Sequence, residues 1–277
     1  MLEHFVRCQR LVNSIPVRLK PFRVNVFTVF VRPGKFVTRV AHHSHEYSVT
    51  GAEIYKLRIA FEKKVMTALI RQLPFVFFFR QNFRPECRNW MPFYWQKFRQ
   101  STRYTYRFET VPERHTLEQG LKNTLRSDLK KAAEACHFFR DDDAWELVFE
   151  LNRRSFERKN LRSPYSKAIF ERLHRALQAR AHAAVFIARD KAGGMPSAGV
   201  YLIFDEKEAC LLLSGTSPAF KAQGAVYGLI REALLFAAER GLAFDFEGSM
   251  NEKIEHAFRS FGGCLTPYFR VGKERFF

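Results

Sequence analysis

Residues 208–249, EACLLLSGTSPAFKAQGAVYGLIREALLFAAERGLAFDFEGS, decide the fold. Ala209 to Leu213 is a short apolar run stopped by the turn formers Ser214-Gly215-Thr216-Ser217-Pro218, which predicts a buried strand. Beyond Phe220-Lys221-Ala222-Gln223-Gly224-Ala225, apolar residues recur at Val226, Leu229, Ile230, Ala233, Leu234 and Ala237, and Gly241 closes the run. Spacing by three and four is that of a helix with one buried face. Leu242 to Phe246 alternates like a strand and carries Glu247, Gly248 and Ser249 to its carboxyl end. The order is strand, glycine turn, helix, strand, and open α/β sheets bind ligands at such strand ends. A turn with Gly224 feeding a helix presents unpaired backbone N–H groups at the positive end of the helix dipole, a natural seat for phosphate, with Lys221 adding a point charge.

Working outward, Ala183 to Arg189, Gly199 to Phe204 and Ala209 to Leu213 predict an antiparallel meander, and a helix around Ile254 to Phe261 precedes a last strand around Tyr268 to Val271. Upstream, Thr116 with Gln119 predicts a capping box, followed by one helix striped by Leu117, Leu121, Leu125 and Leu129. Asp141-Asp142-Asp143 is expected to cap a second helix through Trp145, Val148, Phe149 and Phe156, and Ser163-Pro164 to open a third. Residues 53–72 predict an amphipathic helix, and Leu73 to Phe79 a strand buried on both faces. The aromatic and basic block from Trp90 to Arg107 is read as a structural seam between two lobes in preference to a single-stranded nucleic-acid platform, and Tyr104, Tyr106 and Phe108 alternate as a strand. Residues 1–50 support no fold assignment. His42, His43 and His45 beside Glu46 read as a solvated loop, because no second ligand cluster completes a metal site.

The 277 residues are 47% hydrophobic, enough for a real core, and carry a formal charge of +18. That charge is uneven: residues 1–108 hold 20 Lys+Arg against 5 Asp+Glu, and 109–277 hold 26 against 23. The asymmetry predicts an anionic partner for the first part, nucleic acid or the phosphates of a lipid or cofactor. Five scattered cysteines without a C-x-x-C pair suggest neither a disulfide framework nor zinc. No apolar run reaches the roughly 18 to 20 residues of a membrane span, and the start lacks the apolar core of a secretory signal, so a cytoplasmic location is expected.

The segments Phe220 to Ala225, Asp245 to Met250, Phe258 to Tyr268 and, upstream, Leu125 to Ala132 resemble the GNAT-type domain of FemAB-like peptidoglycan-bridge transferases. The block from Trp90 to Tyr106 is similar to the segment that precedes that domain. The resemblance spans roughly residues 85–277. It implies a mixed α/β GNAT acyltransferase fold over 109–277, behind a basic lobe, 1–108, that would be an incomplete or degenerate GNAT-like subdomain. The implied activity is transfer of an acyl group from acyl-CoA to an amine, without a metal. A FemAB-like enzyme would instead use aminoacyl-tRNA on a lipid-linked cell-wall precursor. A reading of another class is a non-catalytic binder of nucleic acid or an anionic surface on the same scaffold.

Carried over by position, the amides around Gln223, Gly224 and Ala225 would hold the donor's pyrophosphate with Lys221 beside it. The family's motif ends in Gly or Ala where this chain has Val226, whose branched Cβ crowds that approach. Glu247 is the implied general base, with Asp245 as second choice on the same strand face; a cap for the helix after Asn251 is the other reading of Glu247. A backbone N–H at Ser214 or Gly215 would polarise the acyl carbonyl, and Tyr227 would protonate the leaving group.

Overall fold

The computed structural model describes residues 51–71, 73, 78–163, 166–217 and 224–274. Residues 1–50, the histidine group among them, lie outside these. The chain divides into two compact units, Arg103–Pro267 and the described parts of Asn13–Thr102 with Tyr268–Phe277.

In the larger unit the strands are β2 (Arg99–Phe108), β3 (Cys136–Arg140), β4 (Ala183–Asp190), β5 (Pro196–Phe204), β6 (Glu208–Thr216) and β7 (Ala243–Asp245), in the spatial order β2-β7-β6-β5-β4-β3. β3 to β6 pair antiparallel, as does β2 with β7, while β6 and β7 run parallel. The meander and the strand after the glycine turn thus share one mixed sheet, as expected. The parallel step needs a crossover, and helix α7 (Ala225–Ala238) supplies it.

Both faces of β4, β5 and β6 are buried, which is why these strands read as continuous apolar runs. On one face, Ala184, Phe186, Val200, Leu202, Ala209 and Leu211 pack with Leu229, Ala233 and Leu234 of α7 and with Leu125 and Leu129 of α4 (Asn123–Ala135). The other face takes α5 (Trp145–Glu157) and α6 (Lys167–Gln178), where Phe170 stacks on Phe149 and meets Tyr201 edge-on.

Three upstream expectations need correction. The Leu117 stripe is buried throughout, but on two helices, α3 (Arg114–Gly120) and α4. Leu121 between them is extended, the Lys122 N–H bonds to the Ser260 carbonyl, and Thr116 falls inside α3 without a capping role. The acidic run does not cap α5, whose N-cap is Ala144 without a side-chain bond. Asp142 instead pairs with Arg140 and accepts from the Val185 N–H, tying β3 to β4. Ser166, three residues after Ser163, caps α6 by accepting from the Ile169 N–H.

The smaller unit holds α1 (Gly51–Arg71), β1 (Phe78–Asn82), α2 (Met91–Trp95) and β8 (Cys264–Glu274), with β1 and β8 antiparallel. The strand expected over Leu73–Phe79 falls largely outside the described residues, and β1 begins only at Phe78. From the aromatic block, Phe93 and Phe98 build this unit's core with Ile70, Phe83 and Val271. No helix among the described residues is long and apolar enough to cross a membrane.

Candidate functional site

The sheet splits where β6 outruns β7. Their parallel pairing covers Glu208↔Ala243, Ala209↔Phe244 and Cys210↔Asp245, after which β7 ends and β6 continues to Thr216. At about 3.3 Å per residue this leaves roughly 20 Å of β6 with β5 on one side and no β7 on the other. A fork of this kind is a slot with a strand edge for one wall.

A bulge decides what lines that edge. Tyr201 pairs with Leu213 but Leu202 pairs with Leu211, so Leu212 is left over and the alternation of β6 reverses behind it. Gly215 is thereby turned toward α5, where a Cβ would lie 2.4 Å from Leu151 C and Asn152 N. Only glycine fits there, and its position opposite Gly199 on β5 gives Gly215 a packing role. Ser214 is the edge residue: its carbonyl accepts from Asn152 Nδ2 at 2.8 Å, on the side away from β5. In a strand a residue's N–H and C=O point to the same side, so the Ser214 N–H faces the slot while the Gly215 peptide faces β5.

At the start of α7, Gly224 has φ +90°, the left-handed region that glycine enters freely. A Cβ there would lie 2.6 Å from the Asp128 carbonyl of α4, so glycine is required twice over. The N–H groups of Ala225, Val226 and Tyr227 open the helix, ahead of any carbonyl four residues back within it, and no acidic residue occupies the first turn. These amides fit a phosphate. Val226 is half-buried and packs on the main core, which engages its methyl groups. Lys221 and Gln223 fall outside the described residues. Tyr227 is half-buried, its ring edge-on to Phe261, and burial followed by the charge of Asp128 raises its hydroxyl pKa, so it stays protonated at neutral pH.

The two carboxylates past the fork have separate fates. Asp245 is 2% exposed; its Oδ1 accepts from Thr105 Oγ1 at 2.6 Å and from the Glu247 N–H at 2.7 Å, and its Oδ2 lies 3.7 Å from Arg107 Nε. Arg107 also donates to Glu208 at 2.6 Å. Asp245 therefore sits in a buried network of a hydroxyl, a backbone N–H and a guanidinium. Glu247 is 4% exposed and adopts φ +63°, left-handed for a side-chain-bearing residue. The expected strand alternation stops at Asp245, so it does not place these two side chains on a common face. Nor does Glu247 cap the next helix, α8 (Glu252–Arg259): Asn251 does, accepting from the Lys253 and Ile254 N–H groups.

Sequence reading missed Tyr106, Asn152 and Arg107. Tyr106 is buried on β2 and donates to Glu255 of α8 at 2.5 Å; desolvation and that bond push its pKa up to about 12. Its carbonyl accepts from the Phe246 N–H, which fixes the chain one residue before Glu247. None of the three stands in a motif; only the folded register brings them to the fork.

A mixed sheet opened by diverging parallel strands, with a glycine-led helix crossing between them, defines an acyltransferase fold of the GNAT type. Residues 119–253 match the acetyltransferase (GNAT) domain family. Among solved structures, FemX shares the fold at 12% identity and a TM-score of 0.58, over 75% of this chain and 77% of that one. A tandem GNAT protein from the clavulanic acid biosynthesis pathway is similar at 9% identity and a TM-score of 0.47, over 78% of this chain and 69% of that one. No curated protein matches the chain.

Proposed function

We propose that the chain transfers an acyl group from acyl-CoA to an amine at the β6–β7 fork, with Glu247 as the general base. The observation that carries this is the backbone at Glu247. A left-handed residue with a side chain costs roughly 1–3 kcal/mol and persists only where its surroundings enforce it. Here Asp245 accepts the Glu247 N–H and so holds that backbone in place, just past the end of β7.

Each remaining residue then has a task. The amides of Ala225, Val226 and Tyr227 hold the donor's pyrophosphate, joined by Lys221, Gln223 and Gly224 as the resemblance implies. The Ser214 N–H lies on the slot edge, where it stabilises charge developing on the acyl oxygen. Glu247 takes the proton the amine must lose, and the neutral Tyr227 hydroxyl supplies one to the departing thiolate. Asp245 serves as the anchor that orients Glu247.

A second reading, a FemAB-like aminoacyltransferase using aminoacyl-tRNA, is favoured by the basic excess of residues 1–108 and by the likeness to FemX, which extends beyond the GNAT match. Melting curves of the full chain with acetyl-CoA, longer acyl-CoAs and charged tRNA separate the two. A ligand at a hundred times its Kd stabilises the native state by about 2.7 kcal/mol. A shift with an acyl-CoA supports the proposal, a shift with charged tRNA alone replaces it by the second reading, and no shift with any of them leaves the non-catalytic binder.

A further inference from the structure

Asn152 lies in the middle of α5, 8% exposed, with its amide pinned to the open edge of β6. The Ser214 carbonyl can only accept, so the atom facing it at 2.8 Å must be the donor Nδ2. That fixes the side-chain orientation and leaves Oδ1 as a buried acceptor with no partner. Native interiors rarely keep such an atom unmet. The other α5 groups along this edge are satisfied: Ser155 Oγ donates to the Leu151 carbonyl, and Arg158 donates to Thr216. The packing that brings Asn152 here is tight, because Gly215 leaves no side chain between β6 and the α5 backbone.

Resting on the acyl-transfer reading, we propose that Asn152 Oδ1 is a built acceptor for a substrate N–H lying along the open edge of β6. The chemistry is set by the atom. A neutral carbonyl-type oxygen takes N–H or O–H donors, gives nothing to a phosphate, and lacks the full negative charge that would hold an amine as ammonium. Two sources of that N–H fit the slot, an amide in the pantetheine arm of the donor and the amine of the acceptor.

The test uses the full chain and its Asn152→Leu and Asn152→Ser variants. Titration calorimetry measures binding of CoA and of adenosine 3′,5′-bisphosphate, the nucleotide end without the arm; steady-state kinetics measure acetylation of lysine amide by acetyl-CoA. Losing one such hydrogen bond is worth roughly tenfold. CoA affinity falling about tenfold in the Leu variant, with the bisphosphate unchanged, supports the proposal and assigns the N–H to the donor. Unchanged CoA affinity with about a tenfold higher KM for lysine amide supports it and assigns the N–H to the acceptor. Unchanged affinity and KM in a folded variant overturns it and reduces Asn152 to a clasp between α5 and β6. Should the Leu variant fail to fold, the same readings are taken on the Ser variant. A wild-type chain that neither binds CoA nor acetylates lysine amide sinks the acyl-CoA reading itself, and the proposal with it, before any variant is compared.

Discussion

Strand β6 passes through two environments. Its first residues, Glu208 to Cys210, have a strand on either side and sit beside Thr105, Arg107 and Asp245, whose charges and hydroxyl are bound to one another. Its last residues, Ser214 to Thr216, have a strand on one side and are met on the other by side chains of α5. Charged groups in the closed half are committed to one another, while the open half keeps an unmatched amide oxygen. Charge alone is thus a poor guide to chemistry here. Asp245 and Glu247 are the same kind of group two residues apart, and the fold uses the first to place the second.

The sharpest way to break this division is Glu247→Gln. Gln keeps the size but cannot accept the amine proton, so kcat should fall by roughly 10² to 10⁴ with donor affinity and melting temperature little changed. Full activity in the variant removes Glu247 from the mechanism. Arg107→Met tests the other half. It strips the cation from between two buried carboxylates, and chemical denaturation should show a loss of about 3–5 kcal/mol. An unaltered midpoint would mean that the closed half is not held together by its charges.

A smaller effect is expected at the glycine turn. Asp128 is close enough to Tyr227 to raise its pKa and competes with a bound phosphate for the positive end of α7. Asp128→Asn should therefore tighten acetyl-CoA binding about two- to fivefold by calorimetry. Weaker binding would place Asp128 among the groups the donor needs. The smallest effect concerns His174, on the face of the meander away from α7. It is 3% exposed, bonded to the Tyr201 hydroxyl at 2.9 Å and stacked on Trp145. Burial lowers its pKa, against the opposing pull of Asp143 and Asp142 and a hydrogen bond with Gln178. The folded state thus resists a proton that the unfolded chain takes up near pH 6.5. Stability contributed by the neutral ring is complete above that pH and declines as pH falls below it. The melting temperature of His174→Gln should drop less between pH 7 and 5 than that of the wild type.

The sheet was legible because its strands are buried on both faces and interrupted by clear turns, as at Asp205-Glu206; the stop expected at Ser214-Gly215 is not one, because β6 runs on to Thr216. Strand β3 was not: it follows α4 without a turn residue, and only Cys136 of its five residues is buried. The break at Leu121 was hidden because the leucines on both sides of it stay buried, so their spacing reads as one helix. In the site, Gly224 was reachable from turn chemistry, whereas Ser214, read as a turn former, lies inside β6. The roles of Gly215 and Asp245 were not, since the bulge at Leu212 and the pairing of Arg107 across the fold change which side each faces and what it touches. Asn152 looks like any polar residue on an amphipathic helix until β6 is seen beneath it.

The contact between Gly224 and Asp128 also has a mechanical side. It joins main chain to main chain, with the place of a Cβ 2.6 Å from a carbonyl oxygen, so no side chain is available to absorb a displacement by changing rotamer. A shift of α4 must pass to the first turn of α7, and a ligand gripping that turn must stiffen α4 in return. Hydrogen exchange along Asn123 to Ala135 would then report on occupancy of a site that those residues need not touch.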